Sequence, residues 1–468
     1  MAIAILIAFA GVYLYGLNRT GMLGPDEPRY AAIGREMAHS GDFVTPKLWG
    51  KAWFEKPVFL YWTTAGATKL GLGPELAPRL PVALLGFGFV LFFYFFVRRE
   101  FGPTEALYTT AVLGTSAGWM AYSYVAVTDV PLAVFFCAAW LLTFEWVKGG
   151  EGSIRLALTV GALLGLAVLA KGLVPLVLFA PVVWPMRRRW LHLVTIGAAC
   201  MAVAAPWYVL CTIRNGQGFL YEFFLVHHFG RFSSEALQHV RPFWFYGPVI
   251  LGAVFPWTPL FSLLRPGLFR DARLRFAGLW VVYAVVFFSA SKNKLPGYII
   301  PLIPALALIL GIGLAWARRT RIPLFLCALI PGIAPLVASV LPQALDTGLS
   351  RASIRRFDAL WMVWFILASF GPLLLEFRGR RSEALASAGL MAALAFFYVK
   401  ATALPATDRV RPFYQRHSEW LDDVCLQDVD RDSRYILQYY AKRELPDCNP
   451  DKTGPKIMSV GERLILLD

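Results

Sequence analysis

Charge is what this chain has least of. Only 16% of its 468 residues are Asp, Glu, Lys or Arg, against roughly 25% in soluble domains. Acids are the scarcer sign, 30 against 45 bases, for a formal net charge of +15. The bases fall in short loops between apolar runs. No basic stripe with interleaved aromatics marks a polar segment, so no nucleic-acid partner is expected. Cysteine is sparse too: six residues and no CxxC spacing, which removes support for zinc-finger and thioredoxin-like readings. Cys137, Cys200, Cys211 and Cys327 lie in or at the end of apolar runs and read as small hydrophobes. Internal repeats are also absent.

The chain is rich in what fills a bilayer. Hydrophobic residues make up 57% and aromatics 15%, with 16 Trp and 36 Phe. That is the composition of a polytopic membrane protein, whose rings anchor at the lipid–water boundary. A spanning helix needs about 20 mostly apolar residues. Thirteen runs qualify: 1–17, 78–97, 104–122, 129–147, 156–170, 172–186, 190–212, 244–264, 276–291, 296–317, 322–342, 358–376 and 384–402. The first lacks a cationic leader and a small-residue cleavage site, so it reads as a membrane helix rather than a signal peptide. PVFLYWTTAGATKLGLG (57–73) is broken by Lys69 and three Gly and reads as an interfacial helix.

Orientation follows from the density of Arg in short loops. RREFGPTE, KGGEGSIR, MRRRW, RPGLFRDARLR, RRTR and RGRRSE all fall on one side, taken as cytoplasmic. Three longer stretches then lie outside: 18–77, 213–243 and the polar tail. We expect an all-α polytopic membrane domain over 1–402, with about thirteen transmembrane helices and exterior interfacial helices. A small α/β or β soluble domain is expected over 403–468. Cys425 and Cys448 lie in that tail and either form a disulfide, if the compartment is oxidising, or stay as two thiols.

The few charges gather on the exterior side. Asp26, Glu27, Arg29, Glu55 and Lys56 occupy GPDEPRY…FEKP. Asp129 begins the fourth helix, and Lys171 breaks LAVLAKGLVPLVL at an exterior turn. His227, His228 and Arg231 stand in HHFGRF, and Lys292 and Lys294 in SKNKLPGY. Ionisable groups at membrane level are costly and mark function. Carboxylates can accept a proton or stabilise positive charge at a sugar carbon. Lys and Arg can hold a phosphate, and a carboxylate beside a His can bind a divalent metal. The set suits an anionic, lipid-linked substrate. Simpler roles stand beside these: Asp26 or Glu27 as a helix cap, Arg29 paired along its own helix, Lys56 as a snorkelling lysine.

GPDEPRYAAIGREM, SGDF…P…FEKPVFLYW, HHFGRF, HVRPFWFYGPVILGAVFPW and NKLPGYIIPLIPALAL, in that order, resemble bacterial glycosyltransferases of the glycosyltransferase-C fold. The resemblance is to the lipid A aminoarabinose transferases, and more broadly to the protein O-mannosyltransferase superfamily, over roughly residues 1–400. It implies a bacterial inner-membrane enzyme, its active site and C-terminus on the periplasmic side, working as a monomer. Such an enzyme takes a sugar from a polyprenyl (undecaprenyl) phosphate carrier and inverts its anomeric centre. Lipid A or another envelope lipid or glycan is the implied acceptor, with a protein acceptor or a lipid-linked-sugar flippase as alternatives. The site residues it implies are Asp26 and Asp129 as catalytic acids. Arg29, Lys56, Lys171, Arg231, Lys294 and Tyr298 are implied around the donor phosphate. No nucleotide cofactor is implied. A divalent metal is left open, with Glu55 and His228 as its ligands. Two departures stand out: many relatives have Glu-His where this chain has His227-His228, and the tail is shorter than in the lipid A enzymes.

Overall fold

A computed structural model of the chain describes residues 10–230, 240–347, 352–354, 357–420, 424–449, 455–460 and 463–467. Long apolar helices dominate. Among the described residues nine are long and apolar enough to cross a membrane: Leu76–Glu100, Asp129–Val147, Ile154–Lys171, Trp190–Val226, Ala272–Ala290, Pro296–Trp316, Arg321–Leu345, Ala359–Phe377 and Arg381–Thr407. Each overlaps one of the thirteen apolar runs. The other four runs do not form an unbroken long helix within the described residues. Residues 1–9 of the first lie outside them. Run 104–122 breaks at Thr115 and Ser116 into helices of 12 and 6 residues. Runs 172–186 and 244–264 carry prolines and hold only shorter apolar helices, Val174–Met186 and Phe243–Ala253.

The elements that shape the site begin with α1 (Asp26–Ser40). It ends where Gly41 adopts φ 72° and returns its N–H to the Met37 carbonyl, a left-handed cap that glycine reaches without a Cβ penalty. A two-stranded hairpin, β1 (Lys47–Leu48) with β2 (Lys51–Ala52), follows. Next comes α2 (Phe59–Lys69), the helix expected at the interface. At 11 residues it is about 16 Å long, too short to span a core of about 30 Å. The first long helices are α3 (Leu76–Glu100), then α4 (Pro103–Gly114) and the short α5 (Ala117–Tyr122). Beyond them run α6 (Asp129–Leu142), α7 (Ile154–Lys171) and α8 (Trp190–Leu220).

Helix α7 lies tight against α8 because two glycines leave room. A Cβ at Gly161 would sit 2.4 Å from the Ile196 carbonyl oxygen, and one at Gly165 would sit 2.7 Å from Val203 Cβ. Small residues let membrane helices approach closely enough for dispersion to hold them. The later helices are α9 (Ala272–Ala290), α10 (Ile303–Trp316), α11 (Arg321–Leu329), α12 (Ala334–Thr347), α13 (Ala359–Phe377) and α14 (Arg381–Thr407). Helix α10 is buried almost throughout, whereas α13 turns Leu360, Trp361, Val363, Trp364 and Leu367 outward. That is how a central and a lipid-facing helix differ.

After α14 come α15 (Val410–His417), strand β3 (Cys425–Gln427), α16 (Arg431–Ala441), β4 (Lys456–Val460) and β5 (Arg463–Leu467). Strand β4 sits centrally, parallel to β3 and antiparallel to β5. Cys425 and Cys448 are joined in a disulfide. This segment is clamped to the first loop. Asp408 accepts from the Gly21 N–H at 2.8 Å, Arg411 pairs with Asp408 at 2.6 Å, and Tyr439 donates to the Pro74 carbonyl at 2.8 Å.

Candidate active site

A cavity of about 560 Å³ opens where α1, the turn after α5, the ends of α6, α7 and α14, and the 295–298 turn converge. Asp26, Lys56, Asp129, Lys171 and Tyr298 line its polar part, with Tyr30 and Tyr122. Leu341, Pro342 and Leu345 from α12, and Phe396, Val399 and Leu404 from α14, line an apolar limb. Residues 432, 433 and 436 of α16 complete the lining.

The first loop contributes a string of alternating charge. Asp26 pairs with Arg29 one turn along α1. Arg29 donates to the Pro25 carbonyl at 2.9 Å and to Glu55 Oε2 at 2.9 Å. Glu55 Oε1 lies 3.4 Å from Lys56 Nζ. Burial works against the Arg29 charge, but Glu55 and Asp26 more than offset it and hold the guanidinium pKa above its ordinary value. The two ends of this string, Asp26 and Lys56, line the cavity; its middle, Arg29 and Glu55, packs behind them.

A second pair stands on different helices. Asp129 begins α6 and Lys171 ends α7, and Lys171 Nζ donates to Asp129 Oδ1 at 2.5 Å. Each helix terminus favours the charge it carries, an acid at an N-terminus and a base at a C-terminus. Lys171 also lies 5.1 Å from the centroid of the Tyr298 ring. Gly297 presses against this pair: a Cβ there would come within 2.5 Å of Asp129 Oδ1.

Some residues singled out in the sequence stand elsewhere. Arg29 does not line the cavity, because its guanidinium bridges two carboxylates. Lys294 does not line it either: its ammonium is buried on the carbonyls of Ser291 and Arg241. Arg231 and the side chain of His228 lie outside the described residues. Glu27 is not a helix cap; it is buried against Arg79 and accepts from the Leu23 and Ala126 amides at 2.7 and 2.9 Å. Arg79 was missed in the sequence, although an arginine inside LAPRLPVALL was a signal. Lys400, which lines the cavity from α14, was missed as well.

The family model described as dolichyl-phosphate-mannose-protein mannosyltransferase matches residues 55–216. The undecaprenyl phosphate-α-4-amino-4-deoxy-L-arabinose arabinosyl transferase of Pseudomonas aeruginosa is 36% identical over 336 residues, 67% of this chain and 60% of that one. Its namesake in Serratia proteamaculans is 34% identical over 331 residues. The crystal structure of ArnT from Cupriavidus metallidurans bound to undecaprenyl phosphate superposes with a TM-score of 0.77 at 25% identity, covering 98% of this chain and 93% of that one. The chain therefore has the fold of that transferase. An Archaeoglobus fulgidus oligosaccharyltransferase shares the fold alone, at a TM-score of 0.51 and 12% identity over 96% of this chain and 64% of that one. The chain spans about 60% of the length of the Pseudomonas relative.

A divalent ion at Glu55 is the remaining expectation from the sequence. Among the described residues no three His, Cys, Asp or Glu side chains gather as a metal site. Glu55 itself is flanked by two cations, Arg29 and Lys56. Those neighbours do not fit a further positive ion at the same carboxylate, so no step is routed through one.

Proposed function

We propose that the chain transfers a sugar from an undecaprenyl phosphate carrier to lipid A, with inversion at the anomeric carbon. The observation that carries this reading is one cavity in which the acids Asp26 and Asp129 and the ammonium groups of Lys56 and Lys171 meet an apolar limb. The carrier's tail would lie along α12 and α14, and its phosphate would meet Lys56 and Lys171. As the bond between anomeric carbon and carrier oxygen breaks, charge grows on that phosphate. Preorganised ammonium groups in a site shielded from water stabilise it. Asp129 holds Lys171 in place and faces Tyr122 and Gly297. Asp26, oriented by Arg29, stands where it can steer the acceptor oxygen or stabilise positive charge on the sugar. An acceptor phosphate is already ionised, so the attack itself needs no base. The names of the relatives, which specify an amino-arabinose on undecaprenyl phosphate, support that donor here.

The reading places the enzyme in the bacterial inner membrane as a monomer, with the cavity on the periplasmic side. Arg98, Arg99, Arg318, Arg319, Arg378 and Arg380 stand at helix ends remote in sequence from the cavity-lining ends, as cytoplasmic loops require. Residues 1–402 form the transferase body and 403–468 a periplasmic cap. Replacing Asp26 with Asn tests the reading. Transfer from undecaprenyl-phosphate-linked aminoarabinose to lipid A, assayed in detergent, should be abolished while the thermal unfolding temperature is retained. Wild-type turnover in that variant removes the central role given to Asp26.

A further inference from the structure

The mechanism above leaves a buried, cavity-lining lysine unused. Lys400 stands seven residues before the end of α14, inside a membrane-spanning segment, and only 6% of it is exposed. Phe396, Val399 and Leu404 surround it in sequence and line the same cavity. Among the described residues its ammonium makes one hydrogen bond, a long 3.3 Å contact to the Val12 carbonyl, and rests 4.2 Å from the Tyr124 ring centroid. No carboxylate pairs with it there. Glu27 is bound to Arg79, and Asp408 to Arg411 and the Gly21 amide. A charged group at bilayer level without a counter-ion is costly. A cavity-facing position for such a group is explained by an anion that arrives with a ligand.

The surroundings say which anion. The limb is apolar, so its charged visitor is the headgroup of a lipid. Lys171 and Lys400 make their contacts on different elements: Lys171 with Asp129 and Tyr298, Lys400 with Val12 and Tyr124. An inverting displacement brings the nucleophile to the face of the sugar opposite the leaving phosphate. When the nucleophile is itself a phosphate oxygen, two anions must be held in one cavity, and each needs its own cation. We propose that Lys400 forms a second anion subsite, which takes the phosphate monoester of the acceptor lipid. This rests on the transferase reading given above. In the step it serves, an acceptor phosphate oxygen bonds to the anomeric carbon. The bond from that carbon to the carrier's phosphate oxygen breaks, and its electron pair leaves with the carrier. No proton has to move.

The test uses the full-length enzyme in detergent with three probes: lipid A, dephosphorylated lipid A and undecaprenyl phosphate. In wild type, lipid A should bind more tightly than its dephosphorylated form. Lys400→Met should weaken lipid A binding at least about tenfold, the loss of one charge-assisted contact. It should abolish the preference for the phosphorylated form and leave undecaprenyl phosphate binding unchanged. Lys400→Arg should restore most of the preference. Retained carrier binding serves as the folding control; if the Met variant does not fold, Lys400→Gln is read in the same way. Unchanged lipid A binding makes Lys400 a structural tether to Val12 and overturns the proposal. A selective loss of undecaprenyl phosphate binding assigns the lysine to the donor and overturns it too. Wild-type enzyme that transfers no sugar to lipid A is a different failure, that of the transferase reading itself.

Discussion

Glu27 grips Arg79 through both carboxylate oxygens, at 2.7 Å each, where neither side chain reaches solvent. The remaining Arg79 donors bind the carbonyls of Leu17, Thr20 and Gly21. The pair therefore ties the start of α3 to the chain that leads into Asp26. Adjacent residues on a helix point about 100° apart, so Asp26 turns to the cavity while Glu27 turns to α3.

Breaking this pair should cost stability rather than chemistry. Arg79→Met leaves an uncompensated buried carboxylate, a defect of about 3–5 kcal/mol. Glu27→Gln should act in the same direction. Combining Glu27→Leu with Arg79→Met should recover much of the loss, because replacing both charges avoids the orphan. Thermal unfolding in detergent measures this. The neighbouring Asp26→Asn should leave the unfolding temperature where it was.

Gly297 is where geometry should be least forgiving. An alanine there meets Asp129 Oδ1 at 2.5 Å and Tyr122 Cε1 at 2.9 Å. The Asp129 carboxylate would have to move off Lys171. Overpacking of this kind costs about 1–3 kcal/mol. The displaced lysine should lower kcat by about a hundredfold, the scale of a 1 Å misplacement in an active site. A double-mutant cycle with Asp129→Asn should be strongly non-additive, since both changes break the same contact.

The sequence made the charged clusters legible because charge is rare in this chain. Asp26, Lys56, Asp129, Lys171 and Tyr298 are brought to one cavity from positions as far apart as 26 and 298. Partners were less legible. Pairing of Arg29 along its own helix was open in the sequence, and Asp26 is that partner, but nothing local says that Glu55 also claims Arg29 or that carbonyls claim Lys294. Arg79 meets a residue 52 positions away. Lys400 hides in FFYVKATAL, where one lysine near a helix end reads as an interface anchor. Nine of the thirteen runs are long apolar helices among the described residues; hydropathy finds apolar runs, but prolines and tertiary packing decide whether a run stays one helix.

The Cys425–Cys448 bond closes a loop of 23 residues in sequence. In the chain-entropy account a loop of that size contributes about 3 kcal/mol. Cys425→Ser should therefore loosen β3 from β4 and expose the 425–449 segment. Hydrogen exchange over those residues should accelerate in the variant. The same acceleration should follow reduction of the wild-type protein. Helices α3, α6 and α7 should exchange as before.

Arg29 separates two accounts of the first loop. If its place between Asp26 and Glu55 is what the site uses, its function is to aim Asp26. Lysine keeps the charge but lacks the fork that reaches two carboxylates at once. Arg29→Lys should then lower kcat by roughly tenfold to a hundredfold through misplacement of Asp26. The Kd for undecaprenyl phosphate should not change, because Lys56 and Lys171, rather than Arg29, line the cavity. If Arg29 instead meets the donor phosphate, as the family resemblance implies, carrier binding should weaken along with turnover. Titrating undecaprenyl phosphate against wild type and Arg29→Lys, beside single-turnover rates, tells the two apart. The ion pairs on both sides of the guanidinium, the one to Glu55 buried, favour the first.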